Sequence, residues 1–209
     1  MEIELKYNIP DRETAAAIWS NDLFAEYEET GSREEIRLVS KYFDTANCDL
    51  ARNELAYRVR SENGHMVATL KWKGHSEDGL HKREEINVPV DSDEPDPGVF
   101  AESRVGNEMI EFLQDRPLKC ILETNILRKS LRIDNDSGIF ELAVDEGEII
   151  TEYGSIEIHE AEVELYSGET DELVKIGKIM EDSYSLTPDD LSKYAKGIQM
   201  IIEHKDKDK

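Results

Sequence analysis

The sequence predicts an α+β fold, a closed antiparallel β-barrel of about eight strands with a charged lumen and helices packed on the outside. Three observations point to it. Segments of apolar–polar alternation recur along the chain, their polar faces are unusually rich in charge, and the charges are sorted by sign from strand to strand. Alternation alone fits an open sheet equally well, with its charged face in water. A solvated face intersperses the two signs. Here carboxylates gather on the first, seventh and eighth strands, and Arg and Lys on the third to sixth. That sorting favours closure, which also removes exposed strand edges.

Taken in order, strands are expected over residues 1–9, 35–45, 54–62, 65–73, 81–90, 119–134, 138–149 and 155–166. Successive strand side chains point to opposite faces. Glu2, Glu4 and Lys6 therefore oppose Ile3, Leu5 and Tyr7, and Arg58 and Arg60 oppose Tyr57 and Val59. Thr69, Lys71 and Lys73 oppose Leu70 and Trp72, Arg83 shares a face with Glu85, and Arg128 opposes Leu127 and Leu131. Glu141 and Asp145 oppose Leu142 and Val144; Glu160, Glu162 and Glu164 oppose Ala161, Val163 and Leu165. The runs at 61–64 (SENG) and 135–138 (NDSG) supply hairpin-turn chemistry.

Helical spacing falls between these strands. Asp11 can cap a helix reaching about residue 27, with Ala15, Ile18, Trp19 and Leu23 on one face. A short helix is expected over 105–113, after an acidic, Pro-containing loop, and another over 171–184 carrying Leu173, Ile176 and Met180. Pro188 is expected to open a last helix carrying Leu191, Ile198, Ile201 and Ile202. One domain over 1–203 and a charged, disordered tail over 204–209 complete the reading. Trp19 and Trp72 are expected to pack between helix and barrel, and the five histidines, His81 among them, to lie at the surface.

Composition narrows the function classes. The 209 residues carry 25 Lys and Arg against 48 Asp and Glu, a formal net charge of −23. This argues against a nucleic-acid partner, which needs a basic footprint, and against docking on anionic membranes. No apolar run approaches the roughly 18 residues of a membrane span, and the acidic, alternating start is unlike a signal peptide. A cytoplasmic protein is expected, with Cys48 and Cys120 as reduced thiols. A small anionic substrate remains compatible, because a local basic cluster can sit inside an acidic protein.

The sorted charges suit a polyanion bound together with cations. Glu2, Glu4, Asp145, Glu162 and Glu164 offer hard oxygen donors of the kind Mg²⁺ or Mn²⁺ prefers. Arg58, Arg60, Arg83 and Arg128 can grip phosphate oxygens bidentately, with Lys6 and Lys71 as point charges. Such groups would be very costly in a dry core and are tolerable in a hydrated lumen that binds ions.

These residues also form an ordered set of motifs. Glu2-Ile3-Glu4-Leu5-Lys6 resembles the ExExK signature of the CYTH superfamily, the triphosphate tunnel metalloenzymes. Tyr42-Phe43-Asp44-Thr45, the strand from Leu55 to Arg60, Thr69-Leu70-Lys71 and Arg83-Glu84-Glu85 resemble the family's next segments. Arg128, Asp145 with Gly147, and Glu162-Val163-Glu164 follow in the family's order, and the resemblance covers about residues 1–200. Residues 60–88, and Leu191-Ser192-Lys193 followed by Gly197, resemble the bacterial inorganic triphosphatase branch. Members of that branch often carry a C-terminal helical CHAD domain; this sequence ends soon after the tunnel domain, so either a stand-alone catalytic domain or one trimmed from a longer protein is expected.

The resemblance implies Mg²⁺-dependent (or Mn²⁺-dependent) hydrolysis of inorganic triphosphate to pyrophosphate and phosphate. It implies that Glu2, Glu4, Asp145, Glu162 and Glu164 hold metal, and that Lys6, Arg58, Arg60, Lys71, Arg83, Arg128 and Lys193 bind phosphates. Lys6, Arg58 and Glu85 would take part in the chemistry: Lys6 by shielding the leaving group, Arg58 by stabilising charge, Glu85 by positioning water or holding Arg83. A homodimer is frequent among such proteins. The alternatives are a nucleotide-directed member, either a nucleoside triphosphatase or a class IV adenylate cyclase, and a polyphosphate-binding module without turnover.

Overall fold

The computed structural model describes residues 1–207. One strand closes the sheet. β1 (Glu2–Asn8) pairs antiparallel along one edge with β8 (Gly154–Gly168), matching Glu4 to Glu164 and Lys6 to Glu162. Along its other edge it pairs with β5 (Leu80–Val90), matching Glu2 to Arg83 and Glu4 to His81. The remaining strands are β2 (Glu34–Asp44), β3 (Ala56–Glu62), β4 (His65–Glu77), β6 (Lys119–Asn135) and β7 (Gly138–Thr151). They run in the order β5-β4-β3-β2-β6-β7-β8, so β1 completes a closed eight-stranded antiparallel barrel. A two-residue stub, β9 (Thr187–Pro188), takes up the edge of β1 where β5 leaves it, with Tyr7 opposite Pro188.

The outward faces are apolar and are covered. α1 (Arg12–Ser20) and α4 (Thr170–Tyr184) bury Ile18, Leu173 and Met180 against Leu5, Tyr7, Phe140, Leu142 and Val163. On another side α2 (Asp49–Arg52) and α3 (Arg104–Leu113) bring Leu50, Met109 and Leu113 onto Tyr57, Val59 and Leu70. Each such side chain gives about 1.5–3 kcal/mol on full burial, which fixes which strand face turns outward. Trp19 and Trp72 pack at the margins of these two clusters.

The fifth helix, α5 (Lys193–Lys207), has a different place. Leu122 and Ile126 share a face of β6 with Arg128, and Ile158 shares a face of β8 with Glu160 and Glu162. These residues form a third apolar cluster with Leu38, Tyr42 and Ile149, capped by Tyr194 and Ile198 of α5. One part of the lumen is therefore apolar and filled, with α5 over it. Gly197 permits the approach, since a Cβ there would lie 2.5 Å from Leu122 Cδ2.

Several boundaries differ from expectation. α1 ends at Ser20, because Asn21 takes a left-handed conformation and donates its backbone N–H to Ile18 O; a 3₁₀ turn at Ala25–Tyr27 follows, and Leu23 is exposed. Asp11 does cap α1, accepting from Thr14 N at 2.8 Å. Pro188 does not open the last helix. It pairs with β1, and Ser192 starts α5 by accepting from Ala195 N, which leaves Leu191 and Ile202 exposed. β4 runs on past Lys73 to Glu77 through an irregularity at Lys73, whose φ is 54°. Residues 204–207 of the expected tail continue α5, and 208–209 lie outside the described residues. Among the described residues no helix is long and apolar enough to cross a membrane.

Gly147 sits opposite Ile126 in the β6–β7 ladder, two residues past Asp145, and a Cβ on it would fall 2.1 Å from Asn125 O. Backbone cannot yield as a side-chain tip can. Gly147→Ala is expected to destabilise the protein by about 2 kcal/mol, read as a lower urea midpoint at unchanged m-value.

Candidate active site

Closure brings the charged strand faces together around a cavity of about 280 Å³. It is lined by Glu2, Glu4 and Lys6 of β1, Arg58 and Arg60 of β3, Lys71 of β4, and Arg83 and Glu85 of β5. Arg128, Glu162, Glu164 and Lys193 join them, as does Glu62 at the end of β3. Asp145 alone of the sequence-predicted residues is set back from the surface, 1% exposed behind Arg128 and Lys193. Strict alternation on six separate strands is what makes these side chains converge. Lys193 arrives differently, from the first turn of α5, which aims it back into the barrel.

Most of the charges are paired, in two networks: one around Glu2 and Lys71, the other running from Arg128 through Lys193 to Lys6. Lys71 Nζ lies 2.8 Å from both Glu2 and Glu85, and Arg83 bridges Glu2 (3.0 Å) and Glu4. Arg128 grips Asp145 with two bonds of 2.7 Å and also meets Glu162. Lys193 Nζ lies 2.7 Å from each of Asp145, Glu160 and Glu162. Those three carboxylates come close enough to share a metal ion, but here an ammonium sits among them. At the sealed end Lys6, 1% exposed, contacts Glu160 (3.1 Å), Asp189 (3.2 Å) and Leu191 O.

Two sets are not balanced. Arg58 and Arg60 have no acidic partner within ion-pair distance among the described residues. Arg58 donates to Thr69 Oγ1 at 3.2 Å and leaves its buried Nε unbonded, and Arg60 reaches Ser40 Oγ at 3.4 Å. Burial, then the neighbouring Arg58 and Arg128, push Arg60 down to about 10. Glu4 and Glu164 are the converse. They face each other across the β1–β8 ladder, and Glu164 has no ion pair among the described residues. Burial, then Glu162 and Glu2, push Glu4 up to about 7 against the pull of Arg83; burial, then Glu2, Glu4 and Glu141, push Glu164 up to about 8. One part of the cavity is thus short of an anion and another short of a cation.

A family model for the CYTH domain matches residues 1–198. The chain belongs to the CYTH family. An inorganic triphosphatase of Haemophilus influenzae is 31% identical over 137 residues, which are 65% of this chain and 38% of that protein, so the chain spans well under half its relative's length. Among solved structures, a candidate adenylyl cyclase from Hippeastrum with a dominant triphosphatase activity aligns over 95% of this chain and 96% of its own, at a TM-score of 0.69 and 21% identity. A candidate adenylate cyclase from Bacillus halodurans aligns over 92% and 94%, at 0.58 and 22%. Both likenesses concern the fold.

Several parts of this CYTH domain were not expected from sequence. Asp44, from the Tyr-Phe-Asp-Thr segment, does not line the cavity and is fully buried; it accepts from the backbone N–H groups of Thr45, Leu50 and Ala51 and so holds the start of α2. For Tyr42, a cavity-lining residue, the unforeseen feature is its stacking on Tyr194 at 5.3 Å. His81 is not at the surface: it is 3% exposed, bonded to Asp189 O and Ser76 Oγ, because it sits on the strand edge that β1 covers. Glu160, Asp189 and Lys196 also enter the charge network. For Glu160 the signal was present, since it shares alternation with Glu162 and Glu164. Asp189 lies in a loop and carries no periodic signal.

The pKa directions set the pH response of the metal-free CYTH domain. Asp145 and Glu162 are held low by Arg128 and Lys193 despite burial, so their stabilisation is present at neutral pH and lost in acid. Glu4 and Glu164 keep protons in the folded state that the unfolded chain has already released, so their ionisation weakens the fold as pH rises from about 5 to 8. In chelator, the fall of thermal midpoint across that window is expected to be shallower in Glu164→Gln than in the wild type. Parallel curves would contradict the assignment.

Proposed function

We propose that this CYTH domain hydrolyses inorganic tripolyphosphate to pyrophosphate and phosphate, with Mg²⁺ as the preferred ion and Mn²⁺ as a substitute. One observation carries the reading: two half-buried guanidiniums without an ion-pair partner and two carboxylates without sufficient cation, Glu4 buried and Glu164 half-buried, line the same cavity of about 280 Å³. Phosphate oxygens on Arg58 and Arg60, and a divalent ion on Glu4 and Glu164, supply both missing charges at once. The name of the Haemophilus relative supports the same class of substrate.

Each residue has a role on this reading. Arg58, Arg60, Arg83, Arg128, Lys71 and Lys193 orient the phosphate chain and take up charge as the bridging P–O bond breaks. Glu2, Glu4 and Glu164 hold the ion, with Glu162 and Asp145 behind them on Arg128 and Lys193. When bound, the ion offsets phosphate charge and favours attack by water. Glu85 is kept ionised against burial by Lys71, and Asn87 donates to it at 2.7 Å, so it can accept a hydrogen bond from the attacking water. Lys6 holds the sealed end, beside the leaving group.

The cavity also bears on which triphosphate fits. It lies below the ~300–1,000 Å³ of sites that take drug-sized ligands. Its two aromatic side chains, Tyr42 and Tyr194, stack on each other rather than presenting a face to a base. Phosphate release with Mg²⁺ is therefore expected to be fastest from tripolyphosphate in a comparison with ATP and thiamine triphosphate, with no cyclic AMP formed from ATP. Glu4→Gln and Arg58→Met are each expected to lower kcat/KM by roughly a hundredfold or more while the protein stays folded. Faster turnover of ATP, or wild-type rates in either variant, would refute the reading.

A further inference from the structure

Lys196 lines no part of the cavity, yet its ammonium sits at the centre of the sealed-end network, 2.7 Å from Glu160 Oε1 and 2.6 Å from Asp189 Oδ2. Both of those oxygens are also contacted by Lys6, at 3.1 and 3.2 Å. The other oxygen of Glu160 lies 2.7 Å from Lys193. Glu160 is 0% exposed, so its charge is distributed among these three ammoniums with little help from water. Lys6 and Lys193 do line the cavity. Lys193 and Lys196 are three residues apart on α5 and so share a helix face, one reaching the cavity and the other the network behind it.

Asp189 ties this network to the backbone. Its N–H donates to Lys6 O at 3.0 Å, its carbonyl accepts from His81 Nε2 at 2.7 Å, and its Oδ1 accepts from Leu191 N at 3.0 Å. Next to it, Asp190 Oδ1 accepts from Gly79 N at 2.7 Å. The segment between β9 and α5 is thus clasped to β1 and to the β4–β5 hairpin independently of Lys196.

We propose that Lys196 is a positioning residue that shares the carboxylates of Glu160 and Asp189 with Lys6 and Lys193 and so leaves these two lysines with more positive charge to present to the substrate. This rests on the tripolyphosphate reading above. With Lys196 in place, Lys6, Arg128, Lys193 and Lys196 serve the four carboxylates of Asp145, Glu160, Glu162 and Asp189; without it, three cations are left to the same four anions. The effect falls on attraction of the polyanion, not on bond breaking, because Lys196 touches neither substrate nor the groups around Glu85.

The test uses two opposed variants assayed on tripolyphosphate with Mg²⁺. Lys196→Met removes the cation and is expected to raise KM about tenfold with kcat within about threefold of wild type. Lys196→Arg restores the wild-type KM. Asp189→Asn removes an anion while its side-chain oxygen still accepts from Leu191 N, and is expected to lower KM about threefold. A merely structural network would move both variants in the same direction, together with Tm and kcat. Equal or same-sign shifts in KM, or loss of kcat at unchanged KM, overturn the proposal. Should Lys196→Met fail to fold, Asp189→Asn decides alone, and an unchanged or raised KM overturns it. If the wild type binds tripolyphosphate without turnover, the same opposed shifts are read in Kd. A wild type that neither binds nor hydrolyses it sinks the substrate reading itself, an outcome distinct from unchanged variants of an active protein.

Discussion

β1 has a partner on each edge, and the charged interior depends on that. Paired only with β8, it would leave Glu2, Glu4 and Lys6 on an open face in water, where each ion pair contributes little. Paired also with β5, it brings Glu2 beside Arg83 and within 2.8 Å of Lys71, two strands away. Desolvation then makes pairing obligatory, since an isolated buried charge costs several kcal/mol. The two networks of ion pairs are the consequence of closing a sheet whose inner face is charged.

The lumen is not uniform along its length. Ile126 and Arg128 are neighbours on one face of β6, yet one lies in an apolar cluster under α5 and the other among carboxylates. The boundary is built by α5, whose Tyr194 and Ile198 cover the apolar part while Lys193, on the first turn, enters the charged part. This arrangement gives the cavity a closed end. It also explains why the segment leading into α5 is held by side chains from β1 and β5, namely Lys6 and His81, rather than by apolar contacts.

What was legible in the sequence follows from which signals are local. Period-two alternation is local, and it located all eight barrel strands and the charged face of all but the second; every proposed site residue except Asp145 reaches the cavity surface. Charge on that face was legible for the same reason. The apolar part of the lumen was not: Leu38, Leu122 and Ile126 each have an apolar chain neighbour (Val39, Ile121 and Leu127), so alternation assigns them no face, and only α5 distinguishes them. Helix ends were read less well, because they were set by events outside helical spacing. Asn21 turns left-handed, and Pro188 is taken by β1. The burial of His81 and the roles of Asp189 and Lys196 required knowing that residues more than a hundred positions apart meet at the sealed end.

The unbalanced groups are informative because the barrel prevents them from relaxing. Arg58 and Arg60 lie on β3, whose ladder neighbours are β2 and β4, while Glu4 and Glu164 lie on β1 and β8. Along the closed sheet β3 and β1 are separated by β4 and β5, and the hydrogen-bonded ladders fix that separation. In a flexible chain the guanidiniums and carboxylates would collapse onto each other. Here the strand order keeps them on different parts of one cavity, each with a deficit of opposite charge. A stability-driven lumen would have placed partners in register, as β6 and β7 do with Arg128 and Asp145. Charges held apart at this cost are best relieved by a ligand that carries both signs, a polyanion with its bound cation, and the proposed triphosphate substrate with its ion meets that requirement.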